Sequence, residues 1–230
     1  IGDGFTVPIT YHVVNSAIKI NVSEDDIRQV VDDLKKALNE GIDPEDLFEK
    51  VDEMYRGINS VRVILSNPQR ICDVARYIVD RLEQDLGGNP EATPFKAMVV
   101  AVNRLACVYY KRCLDEFLQQ RYGEKAKGWV EVVMSYGGDD PKDIRDYKNE
   151  LRERFPKLSY DEINQEIVRR FREDETPKIL VVTEMLLAGF DAPNLKVLYL
   201  DKPLIGHRLL QALARVNRPF KVVTEDGEME

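Results

Sequence analysis

Two short stretches hold the residue types that could do chemistry. The first is Thr183-Glu-Met-Leu-Leu-Ala-Gly189-Phe190-Asp191-Ala-Pro193. It follows the apolar run Lys178–Thr183 (KILVVT), which reads as a buried strand. Ligands of an open parallel sheet gather outside the carboxyl ends of its strands. Thr183 is expected there, with a hydroxyl to donate to a phosphate oxygen. Gly189 permits a backbone shape that a Cβ resists. Asp191 places a carboxylate where a ribose hydroxyl could be held. A helix closed by a glycine cap and an Asx turn would use the same residues.

The second stretch is Gln211-Ala-Leu-Ala-Arg215-Val-Asn-Arg218. At about 100° per residue, Arg215 lies about 40° and Arg218 about −20° from Gln211 on a helical wheel. All three share one narrow face, while Leu209, Leu213 and Val216 fall on the opposite, core-facing side. Two guanidiniums one turn apart make a fork suited to phosphate oxygens. A pair of surface arginines engaged in ion pairs would show the same spacing.

Other chemistries find little support. There is no G-x-x-x-x-G-K-[ST] loop and no paired acidic box after a strand to hold Mg²⁺, so the chain cannot assemble a complete P-loop nucleotide site alone. His12 and His207 are the only histidines, which leaves a Ser-His-Asp triad without a credible base. No cluster has the spacing of metal ligands.

The elements that must position these residues follow from periodicity. Asn67-Pro68 opens a helix carrying Ile71, Val74, Ala75, Ile78, Val79, Leu82 and Leu86, ended by Gly87-Gly88. Lys96–Val102, Trp129–Met134, Lys178–Thr183 and Lys196–Leu200 are short apolar runs that read as strands. Asn103 caps a helix running to about Gln120, Asp140–Glu175 is charged and mainly helical, and Gly206–Asn217 is a helix. Phe220–Val223 reads as a last short strand. Upstream, Ser23–Tyr55 reads as a helical hairpin broken at Gly41 and restarted at Asp43-Pro44. Strands alternating with helices predict an α/β fold, a parallel sheet flanked by helices on both faces, with an N-terminal helical extension.

The chain has 230 residues and a formal charge of −8. At about 150 residues per domain this allows one or two domains. Charge is uneven. Asn21–Tyr55 holds 12 acids against 4 bases, whereas Thr176–Val223 holds 7 bases against 3 acids. The latter fits a surface facing a polyanion, or simply a surface with a few lysines. No run approaches the roughly 18 apolar residues of a membrane span, and Ile1–Ile20 lacks a signal-peptide cleavage pattern. Cys72, Cys107 and Cys113 are odd in number and irregular in spacing, which argues against a disulfide framework and a zinc site. The expected compartment is a reducing cytoplasm. The chain opens on Ile1 in a stretch that reads like protein interior, so a piece of a longer polypeptide is expected.

The two stretches together resemble motifs V and VI of superfamily-two helicases and translocases. Ile179–Arg218, ILVVTEMLLAGFDAPNLKVLYLDKPLIGHRLLQALARVNR, resembles the corresponding segment of the motor (R) subunit of type I restriction enzymes. Asp3–Ile9 (DGFTVPI) resembles the segment joining the two motor lobes of that family, and Lys96–Arg104 is similar to its motif IV. The resemblance implies residues 1–60 as interlobe linker and helical hairpin, and 61–230 as the second RecA-like lobe of an ATP-driven double-stranded DNA translocase.

It further implies roles. Arg215 and Arg218 match arginine fingers that reach the γ-phosphate of ATP, and Gln211 matches a residue coupling nucleotide to lobe closure. Gly189 and Asp191 match the nucleotide-facing end of motif V. Thr183, Asn103 and Arg104 match contacts to the DNA backbone. ATP and Mg²⁺ would be bound mainly by the first RecA-like lobe, which this chain lacks, so the chain alone is expected to be inactive. Expected partners are double-stranded DNA, that first lobe, and the methyltransferase and specificity subunits; no membrane partner is expected. Another superfamily-two DNA or RNA motor, or a non-catalytic RecA-like scaffold, remains a competing reading. The segments Ser23–Tyr55 and Asp140–Glu175 carry no motif of the family.

Overall fold

The computed structural model describes residues 65–183, 186, 191–202, 204, 211, 212, 214, 216, 222–224 and 227–229. The expected linker and helical hairpin of residues 1–60 lie outside the described residues, as do Gly189, His207, Arg215 and Arg218.

The described elements are α1 (Pro68–Leu86), β1 (Lys96–Ala101), α2 (Arg104–Tyr122), a 3₁₀ turn (Gly123–Ala126), β2 (Val130–Val133), α3 (Lys142–Arg154), α4 (Tyr160–Glu173), β3 (Ile179–Val182), β4 (Leu195–Asp201), β5 (Val222–Thr224) and β6 (Gly227–Met229). Four strands form a parallel sheet in the order β2-β3-β1-β4. This is the α/β fold the sequence predicts. The path from β1 to β2 crosses the sheet in one direction and the path from β2 to β3 returns. Right-handed connections therefore put α2 on one face and the α3–α4 segment on the other. Both faces being covered, every residue of β1, β2 and β3 is buried, which is why these strands read as continuous apolar runs. The edge strand β4 differs, with Lys196 and Leu200 exposed.

Local sequence sets the helix ends. Asn67 caps α1 through its side chain, which accepts from the Arg70 amide, and Gly87 closes it at φ 81°, a left-handed conformation that costs glycine nothing. Asn103 caps α2 in the same way, accepting from the Ala106 amide at 2.8 Å. The charged segment Asp140–Glu175 is two helices. Pro156 cannot continue α3 and pushes Phe155 out of helical geometry, to φ −131° and ψ 64°. Ser159 and Glu162 then start α4 with a reciprocal capping box.

At the amino edge of the sheet three lysines stand at or beside the starts of three strands, and each donates its ammonium to a main-chain carbonyl. Lys96 donates to Asp174 at 2.5 Å, just past the end of α4. Lys196 donates to Leu86, the last residue of α1, at 3.0 Å, and Lys178 donates to Thr93 at 2.9 Å. A cation at a helix C-terminus meets carbonyls that have no partner within the helix.

Two expectations are corrected. Cys72 on α1 and Cys113 on α2 are joined as a disulfide, 41 residues apart, leaving Cys107 as a buried free thiol. The odd count and spacing argued otherwise, because spacing along the chain does not show that α1 and α2 lie side by side. The last short strand is also more than expected. Val222–Thr224 pairs antiparallel with Gly227–Met229 as a separate two-stranded sheet.

Candidate site at the carboxyl edge of the sheet

The parallel topology brings the carboxyl ends of four strands and the first turns of α1, α2 and α3 to one edge. Val100 of β1 pairs with Val182 of β3, so Thr183 stands level with Ala101, two residues before Asn103. Thr183 and Asn103 are both half-buried. The Asn103 amide Nδ2 donates to the Ser66 hydroxyl at 2.6 Å, tying the start of α2 to the approach to α1.

Arg104 reaches across to the loop after β2. Its Nη1 donates to the Ser135 carbonyl at 3.2 Å and to the Asp140 carboxylate at 2.5 Å. The Asp140 side chain is 1% exposed, whereas that of Arg104 is 36% exposed. Asp140 also accepts from the Gly137 amide at 2.8 Å and from Lys148 at 3.4 Å. Burial alone would raise the Asp140 carboxyl. The Gly137 amide and the Arg104 and Lys148 cations outweigh it and hold the group below its ordinary value. Arg145 and Lys148 complete the loop by donating to the carbonyls of Asp140 and Gly137, at 2.9 and 2.7 Å.

A second buried carboxylate ends β4. Arg70 of α1 forks onto Asp201, with Nη1 on Oδ2 at 2.8 Å and Nη2 on Oδ1, and the Tyr110 hydroxyl of α2 donates to Oδ2 at 2.6 Å. Burial, followed by the Asp201 charge, pushes the Tyr110 hydroxyl far up, so it stays a donor. Sequence reasoning missed Arg70 and Tyr110 as parts of this edge. The one readable signal was an aspartate closing an apolar strand, and its partners lie 131 and 91 residues away. Asp140 and Asp201 are thus both engaged by arginines, which disfavours either as a free cation ligand. Among the described residues no group of three or more His, Cys, Asp or Glu side chains could hold a metal ion.

The remaining predicted residues are placed less completely. Asp191 is exposed, nine residues after the last residue of β3. Gln211 is half-buried and helical, inside the helix expected over Gly206–Asn217, and Ala212 beside it is fully buried. Gly189, Arg215 and Arg218 lie outside the described residues, so the structure brings together only Thr183, Asn103 and Arg104.

An α/β domain with a polar carboxyl edge is the class these features define. A family model described as type I restriction enzyme subunit R domain 3 matches residues 138–229. The chain is 48% identical over 227 residues to the type I restriction enzyme MjaVIIP endonuclease subunit of Methanocaldococcus jannaschii, covering 96% of this chain and 20% of that protein. It is 30% identical over 227 residues to the HindI endonuclease subunit of Haemophilus influenzae, covering 96% and 18%. A solved fragment of an HsdR subunit of a type I restriction enzyme from Vibrio vulnificus YJ016 aligns at 19% identity and a TM-score of 0.48, covering 69% of this chain and 25% of that one. The chain belongs to the endonuclease (R) subunit family of type I restriction enzymes. It spans about a fifth of the length of the curated relatives it matches.

Proposed function

We propose that this chain is the second RecA-like lobe of an ATP-dependent double-stranded DNA translocase, the motor of a type I restriction endonuclease acting in the cytoplasm. The observation that carries the reading is the carboxyl edge. Thr183 and the N-terminal turns of α1, α2 and α3 converge there, and helix N-termini favour phosphate oxygens through unpaired amides and the helix dipole. The Gln211, Arg215 and Arg218 spacing downstream adds a phosphate fork on one helix face.

In this reading Thr183, Asn103 and Arg104 contact the DNA backbone, which positions a duplex without reading its sequence. Arg104 is steadied for the task by Asp140 and uses only Nη1 to hold it. Gly189 and Asp191 face the nucleotide. Arg215 and Arg218 act as arginine fingers that stabilise charge developing on the transferring phosphoryl group, and Gln211 couples the nucleotide to lobe closure. Mg²⁺ and the nucleotide phosphates are held mainly by the first lobe, consistent with the engagement of Asp140 and Asp201 by arginines here. Partners are double-stranded DNA, the first lobe, and the methyltransferase and specificity subunits.

The test is ATP hydrolysis by the full-length R subunit, with and without duplex DNA, for wild type and Arg218→Ala. Duplex-stimulated turnover lost in the variant, with an unchanged thermal midpoint, is expected. A variant that retains stimulated turnover removes the arginine finger from the mechanism. Stimulation by RNA but not by duplex DNA favours a different superfamily-two motor. A wild-type subunit that hydrolyses no ATP, even with its partner subunits and duplex DNA, favours a scaffold.

A further inference from the structure

The charges of α3 are sorted by flank. At about 100° per residue, Lys142, Arg145, Lys148, Asn149 and Arg152 fall within a sector of about 120°. Asp143, Asp146, Glu150 and Glu153 fall within a neighbouring sector of about 80°. Ile144, Tyr147 and Leu151 form the buried stripe. The remaining charge, Arg154, is taken up by the buried Glu131 of β2. Lys142, Arg145, Asn149 and Arg152 are exposed, and Lys148 is half-buried.

This sorting is unfavourable for an isolated helix. Lys142 and Arg145, Arg145 and Lys148, and Lys148 and Arg152 are like charges three or four residues apart, which repel on a helix surface. The neighbouring α4 shows the usual alternative. There Arg169 and Arg170 pair with Glu166, and Arg169 with Glu173, at three- and four-residue spacing. The ion pairs of the described α3 residues run instead to other elements, from Asp143 to Arg112, Lys148 to Asp140 and Arg154 to Glu131.

The basic flank also has a shape. Lys142, Arg145, Asp146, Lys148, Asn149 and Tyr160 line a cleft of about 390 Å³. Tyr160 forms its wall, with the Arg152 Nε donating to its hydroxyl at 3.2 Å and the Lys148 ammonium 5.2 Å from its ring centre. The flank begins at the carboxyl edge, beside the loop that Arg104 holds through Asp140. From Lys142 to Arg152 it extends about 15 Å along the helix axis.

We propose that the basic flank of α3 is a docking track for the phosphate backbone of duplex DNA, continuing the edge formed by Thr183, Asn103 and Arg104. The inference rests on the translocase reading and extends it to a segment without a helicase motif. A polyanion along the flank relieves the like-charge repulsion. Lysine and arginine side chains bind phosphates whatever the base sequence, as a motor moving along DNA requires.

The test uses the full-length R subunit with Lys142→Gln and Arg152→Gln combined, positions that do not hold the Gly137–Asp140 loop. Duplex affinity is measured from 50 to 200 mM salt on two unrelated sequences. Glu150→Gln with Glu153→Gln, neither of which lines the cleft, serves as the control for the acidic flank. Each lost phosphate contact lowers the slope of log affinity against log salt by about 0.9, so the basic-flank variant is expected to lose about 1 to 2 from the slope, equally on both sequences. The DNA concentration giving half-maximal ATP turnover should rise several-fold while maximal turnover is unchanged. An unchanged slope in a variant with wild-type circular dichroism overturns the proposal, as does an unchanged slope with impaired assembly onto the partner subunits. If Arg218→Ala abolishes stimulated turnover and the basic-flank variant behaves as wild type, this inference alone fails. If wild type itself shows no duplex binding or stimulation, the translocase reading falls and takes this inference with it.

Discussion

Arg70, in the first turn of α1, forks onto Asp201, the last residue of β4, across 131 residues of sequence. Both side chains are about nine-tenths buried, and Tyr110 supplies a further donor to the carboxylate. This triad fastens the edge strand to the helical layer at the end where the candidate site lies. It also fixes the residue from which the chain leaves toward the Gln211 helix.

Breaking the pair from one side should be costly. Arg70→Met or Asp201→Leu leaves the other charge buried without its partner, and such truncations cost about 3–5 kcal/mol. The double variant should recover much of that loss, because no orphan charge remains. Urea denaturation of the four proteins measures this. Strictly additive single effects would show that the two groups do not act as a pair.

Acid should weaken the loop at the start of α3. The Asp140 carboxyl sits below its ordinary value of 3.8, so the folded state favours its charged form. Its contribution is complete above that value and is lost as pH falls through the lower folded value. Asp140→Ala, which also strips the Gly137 amide of its acceptor, should cost about 1–3 kcal/mol at pH 7. The gap to wild type should close below pH 3.8. A gap that stays constant from pH 7 to pH 2 contradicts the assignment.

Lys96 should give a stability slope of the same sign in alkali, although here the folded state favours the neutral form. Burial, reinforced by the positive charge of Lys178, pushes the Lys96 ammonium down from 10.5 to about 8. Between those values the unfolded chain holds a proton that the folded chain has released, so this group makes stability rise with pH across the window. Lys96→Met removes that slope along with the hydrogen bond to Asp174. Thermal midpoints of wild type and variant, compared from pH 7.5 to 10.5, report the difference. Parallel curves would mean that Lys96 does not titrate in this range.

Loss of a single cap tests how α4 is delimited. Ser159→Ala removes the side-chain acceptor for the Glu162 amide and one half of the capping box. The expected cost is about 1 kcal/mol, read as a lower denaturant midpoint with an unchanged slope. A cost near zero would mean that Pro156 alone ends α3 and places α4.

Much of the fold was legible along the chain because its signals are local. Continuous apolar runs such as Lys96–Ala101 and Ile179–Val182 mark strands buried on both faces. Asn67 and Asn103 mark helix starts through hydrogen bonds to amides three residues ahead. The boundary inside Asp140–Glu175 was legible too, in Pro156 and the Ser159-x-x-Glu162 pair, but the sparse apolar stripe of the segment hid it. The pairing of Cys72 with Cys113 was not legible, because it depends on how two helices lie against each other.

By itself the sequence determined the alternation of strands and helices, their caps, and which residue types stand at the ends of strands, since these follow from backbone sterics and hydrophobic period. The order β2-β3-β1-β4 was decided only in three dimensions, as was the use of each charge. Nothing along the chain names the partners of Asp201 and Asp140, because only folding carries Arg70, Tyr110 and Arg104 to them. Burial without those partners would cost more than the fold could bear. The same carboxyl edge that collects Thr183, Asn103 and Arg104 exists because parallel strands all end on one side, a property of the sheet and of no single segment within it.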